Sequence, residues 1–236
     1  MEVIILAGGL GTRLRSVVAD LPKCMAPVAG KPFLWYLLKY LTKYPINRVI
    51  LSVGYLREVI INWVKEHECE FPFEFDYAIE DEPLGTGGGI KLALNKANDP
   101  YAIILNGDTF FDVDLDTLCQ YHNSSKKNIT LALKLMRKFN RYGTVSLDTM
   151  SKTIVSFNEK QYCTEGLING GVYVVNRNAP IFEGLPDKFS FEIGVLEPQC
   201  KLGKLFGIVQ DGYFIDIGVP EDYEKANDEF RYFFKE

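Results

Sequence analysis

Apolar and polar positions follow two different rhythms along this chain. Val3–Leu6 is apolar throughout and runs into Ala7-Gly8-Gly9, the pattern of a strand buried on both faces. Residues 32–44 open with proline and space Leu34, Leu37, Leu38 and Leu41 along one helical face. Arg48–Val53 reads as a strand, and Leu56–Glu66 as a helix with Val59, Ile60 and Trp63 on one side. Phe73–Ala78 is strand-like, Thr86–Asn95 is helix-like after a glycine loop, and Tyr101–Leu105 is another buried strand. This succession predicts a parallel sheet covered by helices on both faces.

After residue 125 the rhythm changes. Ile129–Met136, Thr144–Leu147, Ile154–Phe157 and Leu167–Val175 are β-rich segments separated by turns, so a mixed sheet carrying a second, ligand-facing lobe is expected. Pro220–Phe234 predicts a closing amphipathic helix with Tyr223, Phe230 and Phe233 as core contacts. There is no internal repeat, low-complexity linker or hexapeptide pattern. One compact α/β unit over residues 1–236 is expected.

Composition narrows the functional classes. The 236 residues are 47% hydrophobic and 24% charged, ordinary for a globular chain, and the net charge of −5 argues against a general binder of nucleic acid or anionic membranes. No apolar run approaches the roughly 20 residues needed to cross a bilayer, and the N-terminus lacks the basic start of a signal peptide. Five scattered cysteines without a C-x-x-C suit reduced thiols in a cytoplasm better than a disulfide framework or zinc ribbon. With only His67 and His122, each expected to be solvated or at a helix end, a multi-histidine metal site is excluded.

The first strand enters the loop I-L-A-G-G-L-G-T-R-L, residues 5–14. A dinucleotide fingerprint would place a third glycine where Leu14 stands, and no G-x-x-x-x-G-K-[ST] string occurs anywhere, including Gly85–Lys91. The glycines still let backbone N–H groups approach an anion closely. Arg13 and, between two prolines, Lys23 add two cations, a set that suits a triphosphate. Residues 8–13 alone would read as well as a glycine turn with an exposed arginine. The joint pattern G-G-x-G-T-R-L, P-K-x-M-x-P-V and K-P is too long for that reading.

Residues 4–32 resemble the sugar-1-phosphate nucleotidyltransferase family, and the resemblance continues to about residue 225. Within the family the chain looks most like the guanylyltransferases of D-glycero-D-manno-heptose 1-phosphate. Ser16-Val17-Val18 departs from the family's frequent Pro-Leu-Thr, and Gln161 replaces a frequent proline. The resemblance implies a Rossmann-like, GT-A-like mixed sheet, mostly parallel and flanked by helices, with a small β-rich sugar-binding lobe. Residues 1–125 would be the nucleotide-binding half and 126–236 the sugar-phosphate half. It further implies nucleotide contacts from Leu6, Ala7, Gly8, Gly9, Gly11, Thr12, Glu80, Gly85 and Thr86. Sugar contacts would come from Asn106, Gly143, Glu159, Asn169 and Gly170.

Asp108 ends Asn106-Gly107-Asp108, at the carboxyl end of a central strand where α/β folds bind ligands; by itself the motif reads equally as a turn. By resemblance Asp108 and Asp216 match the family's Mg²⁺-binding aspartates. Glu80 stands where uridylyl and thymidylyl relatives commonly carry glutamine. A carboxylate only accepts, which suits the adjacent N1–H and N2 donors of guanine and faces uracil's O4 unfavourably, so GTP is favoured. Lys160 would orient the sugar phosphate, a largely dianionic nucleophile near neutral pH because its second pKa is about 6, so no general base is needed. Arg13 and Lys23 would hold the triphosphate during in-line attack at its α-phosphate. Mannose-1-phosphate guanylyltransferase, a uridylyl or thymidylyl relative, and a catalytically silent nucleotide-sugar sensor stay open, as does a homo-oligomer.

Overall fold

The computed structural model describes residues 1–9, 21–124 and 127–234; Gly11, Thr12 and Arg13 lie outside them. Alternation along β1 (Glu2–Leu6) sets the layers. Val3 and Ile5 join one apolar cluster and Ile4 the other, all fully buried, as a strand covered on both faces requires. A short pair, β2 (Pro27–Val28) and β3 (Lys31–Pro32), leads into α1 (Phe33–Leu41), β4 (Arg48–Val53), α2 (Arg57–His67), β5 (Glu74–Ile79), α3 (Gly85–Leu94) and β6 (Tyr101–Asn106). β6, β1, β4 and β5 lie side by side and parallel, as the strand–helix succession predicts.

The second half extends the same sheet. β7 (Thr109–Phe111) and α4 (Leu115–Ser124) precede β8 (Ile129–Phe139), β9 (Gly143–Leu147), β10 (Ile154–Lys160) and β11 (Cys163–Asn176). A π-helical turn over Glu192–Leu196 then continues into α5 (Glu197–Lys201), β12 (Phe206–Gln210), β13 (Phe214–Asp216) and α6 (Pro220–Phe233). β11 is the hinge of the architecture. It pairs antiparallel with β8 along most of its length, with β6 through its last residues, Val172–Asn176, and touches β9 at Leu167. With β10 beside β9 and β12 parallel to β8, a nine-stranded mixed sheet results.

Three differences from the sequence expectation have physical causes. α1 is buried on every side except at Lys39, because α6 covers what would be its solvent face: Phe230 stacks on Phe33 at 5.9 Å and meets the edge of Tyr36 at 4.7 Å. Within α6, Tyr223, Ala226 and Phe230 form the buried stripe, whereas Phe233 is 41% exposed, off the stripe expected to hold it. His122 does sit in the last turn of α4, but it is buried, bridging Thr130 Oγ1 at 3.0 Å and Asn176 Oδ1 at 3.1 Å rather than solvated. Burial pushes its imidazole below the usual range. β7, α4, β12 and β13 were not among the expected elements. β7 and β13 are too short to carry a period, and α4 follows helical spacing only when Cys119 and His122 are counted with Leu115 and Leu118 as core.

Candidate active site

Parallel strands that end on one edge leave a crevice there. A first cavity of about 430 Å³ occupies it, lined by Leu6, Ala7, Gly8 and Gly9 after β1, Lys23, Glu80, Gly85 and Thr86, and Asn106 and Asp108 after β6. Asn106, expected on the sugar side, therefore lines the same cavity as the glycine loop. Gly107 makes the junction possible. Its N–H donates to Leu6 O at 3.0 Å, and a Cβ there would stand 2.4 Å from that oxygen. Asp108 thus emerges tight against the end of β1.

Lys23 lies on a 3-10 turn over Lys23–Met25, entered from Pro22, and its Nζ reaches Asp108 Oδ2 at 2.9 Å. Asp216 arrives from the other half. β13 pairs antiparallel with β7, setting Asp216 opposite Thr109, and the Ile217 N–H donates to Asp108 O at 3.0 Å. Burial, and then the charge of Asp108, push the Asp216 carboxyl above its usual range. Two carboxylates held in mutual repulsion, with one oxygen of Asp216 fixed by the Gly218 N–H at 2.7 Å, form a donor set that a hard divalent cation satisfies. Among the described residues no group of three or more metal-ligating side chains occurs, so such a cation would take further ligands from phosphate and water. Cys24 also lines the cavity, but burial pushes its thiol up to about 12, which keeps it protonated and unreactive.

Glu80 follows β5 and is held from two sides. The Ser52 hydroxyl donates to Oε1 at 2.9 Å and the Leu84 N–H to Oε2 at 3.0 Å. Each oxygen keeps a lone pair, so the carboxylate is oriented without being used up. Ser52, 1% exposed at the end of β4, was not read from the sequence; a serine in a strand carries no signal until its partner is known.

A second cavity of about 570 Å³ gathers Gly143 of β9, Glu159 and Lys160 at the end of β10, and Asn169 of β11. Asn169 stands at a register shift between Asn169 and Tyr173 that carries Gly170 and Gly171. Its Nδ2 donates to Tyr173 Oη at 2.9 Å and its Oδ1 accepts from the Gly171 N–H at 3.1 Å. Gly170 is not in the lining; it packs against the Phe111 ring, where a Cβ would lie 2.4 Å from Cδ1. Glu192, unread in the sequence, lines this cavity from the π-helical turn, a feature frequent at functional sites.

The two cavities share a wall. The Thr86 hydroxyl, in the first, donates to Glu192 Oε2, in the second, at 3.0 Å. Asn106 packs its amide against Gly171, which in turn holds Asn169. A third cavity of about 440 Å³ opens beside Asp216 and is lined by Arg141, Tyr142 and Asp222; Arg141 is ion-paired with Asp222.

Residues 2–231 match the family described as Nucleotidyl transferase. The chain is 49% identical over 233 residues, 99% of its length and 100% of the relative's, to the D-glycero-alpha-D-manno-heptose 1-phosphate guanylyltransferase of Aneurinibacillus thermoaerophilus. It is similar in structure to HddC from Yersinia pseudotuberculosis, with a TM-score of 0.85 and 39% identity over 97% of this chain and 99% of that one. A second HddC structure, complexed with GMP-PN, gives a TM-score of 0.83 and 38% identity, again over 97% and 99% of the two chains. Among the described residues no helix is long and apolar enough to cross a membrane.

Proposed function

Since the chain belongs to the nucleotidyl transferase family, we propose that it transfers GMP from GTP to D-glycero-α-D-manno-heptose 1-phosphate, releasing pyrophosphate. The observation that carries this reading in the geometry is the shared wall. One cavity lined by Lys23 and Asp108, with Asp216 close enough to feel the charge of both, adjoins another with a lysine and several hydrogen-bonding groups, as two anionic substrates meeting at one phosphorus require.

The proposed roles rest on the sequence pattern for Gly11, Thr12 and Arg13 and on position for the described residues. Lys23, with Arg13 from the glycine loop, neutralises the triphosphate; Gly8, Gly9, Gly11 and Thr12 offer it backbone and hydroxyl donors. Glu80 accepts from the N1–H and N2 amine of guanine, and Ser52 and Leu84 N–H keep its remaining lone pairs aimed. Lys160 orients the sugar phosphate, whose own oxygen attacks, while Glu159 and Asn169 hold ring hydroxyls. Gly143, opposite Lys160 in the β10–β9 pairing, lies beside them.

Family members generally use a divalent metal. Here Asp108 and Asp216 would hold Mg²⁺, which when bound supplies positive charge to the α-phosphate and the incoming phosphate. Lys23 holds Asp108 in an ion pair at 2.9 Å. A single nucleotidyltransferase unit, halved near residue 125, is consistent with the β11–β6 and β13–β7 pairings that cross that point. A cytoplasmic setting, where GTP is available, belongs to the same proposal.

Pyrophosphate release tests the reading. With Mg²⁺ and heptose 1-phosphate, GTP should support turnover and UTP or dTTP should not. No release with any pairing of NTP and sugar 1-phosphate would sink the enzyme assignment.

A further inference from the structure

Thr86 stands in the cavity assigned to GTP, yet its hydroxyl is committed elsewhere. Its one proton goes to Glu192 Oε2 at 3.0 Å, and it accepts from the Phe191 N–H at 2.9 Å. The Ser190 hydroxyl donates to the same Oε2 at 2.7 Å. Oε1 of Glu192 has no protein donor among the described residues, and Glu192 lines the cavity that holds Lys160, Glu159 and Asn169.

The backbone is built to hold this arrangement. The Phe189 N–H donates to Leu84 O at 2.9 Å and the Gly87 N–H to Phe189 O at 3.0 Å, strapping residues 189–192 onto the start of α3. Gly85, at φ +74°, takes a conformation that favours glycine, and a Cβ there would stand 2.7 Å from Phe189 O. The strap enters the π-helical turn at Glu192.

We propose that Thr86 is a positioning residue for the sugar side: it fixes Glu192 so that Oε1 accepts a hydroxyl of the sugar 1-phosphate. The inference rests on the functional reading above. A carboxylate already oriented by two hydroxyls binds a polyol without losing its own rotamer freedom on binding. Substitution at Thr86, in the first turn of α3 beside the nucleotide cavity, should therefore be felt by the other substrate.

Steady-state kinetics with GTP and D-glycero-α-D-manno-heptose 1-phosphate tests this. Thr86→Val, which removes the hydroxyl at nearly constant volume, should raise the sugar-phosphate KM about tenfold and the GTP KM by a smaller factor. Thr86→Ser should restore the wild-type value. Glu192→Ala should raise the same KM, and the double variant should be no worse than Glu192→Ala alone. Glu192 is exposed, so its variant carries the test if Thr86→Val does not fold. A Thr86→Val or Glu192→Ala effect confined to the GTP KM, or additive effects in the double variant, would overturn the inference while wild-type turnover preserves the functional reading. Absence of wild-type turnover would overturn both.

Discussion

The first cavity is made of strand ends, and the second of surface. Around the first, β1, β4, β5 and β6 stop within hydrogen-bond reach of one another, and each side chain that matters is tied to a neighbour: Lys23 to Asp108, Ser52 and Leu84 to Glu80. Around the second, Asn158, Asn169 and Glu192 have orienting partners, but Glu159 and Lys160, exposed at the end of the outermost strand, make no side-chain hydrogen bond or ion pair among the described residues. Parallel strands buried on both faces deliver their ends as a fixed set, because shifting one would disturb two cores. An edge strand of an antiparallel extension bears no such constraint. The rigid side then suits charge neutralisation, which needs preorganised groups, and the looser side suits a substrate that brings its own nucleophile.

If that division holds, removing a tied group should cost more than removing an exposed one. Asp108→Ala strips both the cation-binding carboxylate and the partner of Lys23, and should lower kcat by at least on the order of 10³ with the melting curve little changed; near wild-type turnover would break the contrast. Lys160→Ala should lower kcat/KM by about 10², with the sugar-phosphate KM carrying part of the loss. Glu80→Gln should leave a folded enzyme whose preference for GTP over UTP falls about tenfold, read from competing nucleotides in one assay.

The smallest effect should come from outside both cavities. His122 is buried between α4, β8 and β11, with its imidazole below the usual range. The unfolded chain therefore binds more protons than the folded one below about pH 6.5. Its contribution is present above that pH and is lost as pH falls toward the folded value. The melting temperature should drop by a few degrees between about pH 7 and pH 5, and His122→Gln should flatten that slope without touching kcat.

Most of the first half was legible because each element carried its own period. Val3–Leu6, Arg48–Val53 and Tyr101–Leu105 match β1, β4 and β6 to within a residue or so. The β-rich segments after residue 125 were also found, though β8 and β11 run further than their apolar cores, through residues such as Arg137 and Glu165 that pair across the sheet edge. Glu192 and Ser52 were not found. Each acts through a partner far along the chain, Thr86 and Glu80 respectively, and nothing local marks an exposed glutamate or a strand serine.

By itself the sequence determined the parallel core, the glycine loop, and which residue types were available for phosphate, cation and base. Local periodicity and backbone chemistry need no distant partner to be read. Only the tertiary structure decided how Asp216 comes to Asp108, through the three-residue pairing of β13 with β7, and that Thr86 faces Glu192 across a wall between two cavities. Those are contacts across more than a hundred residues, set by how strands pair and not by any pattern within them.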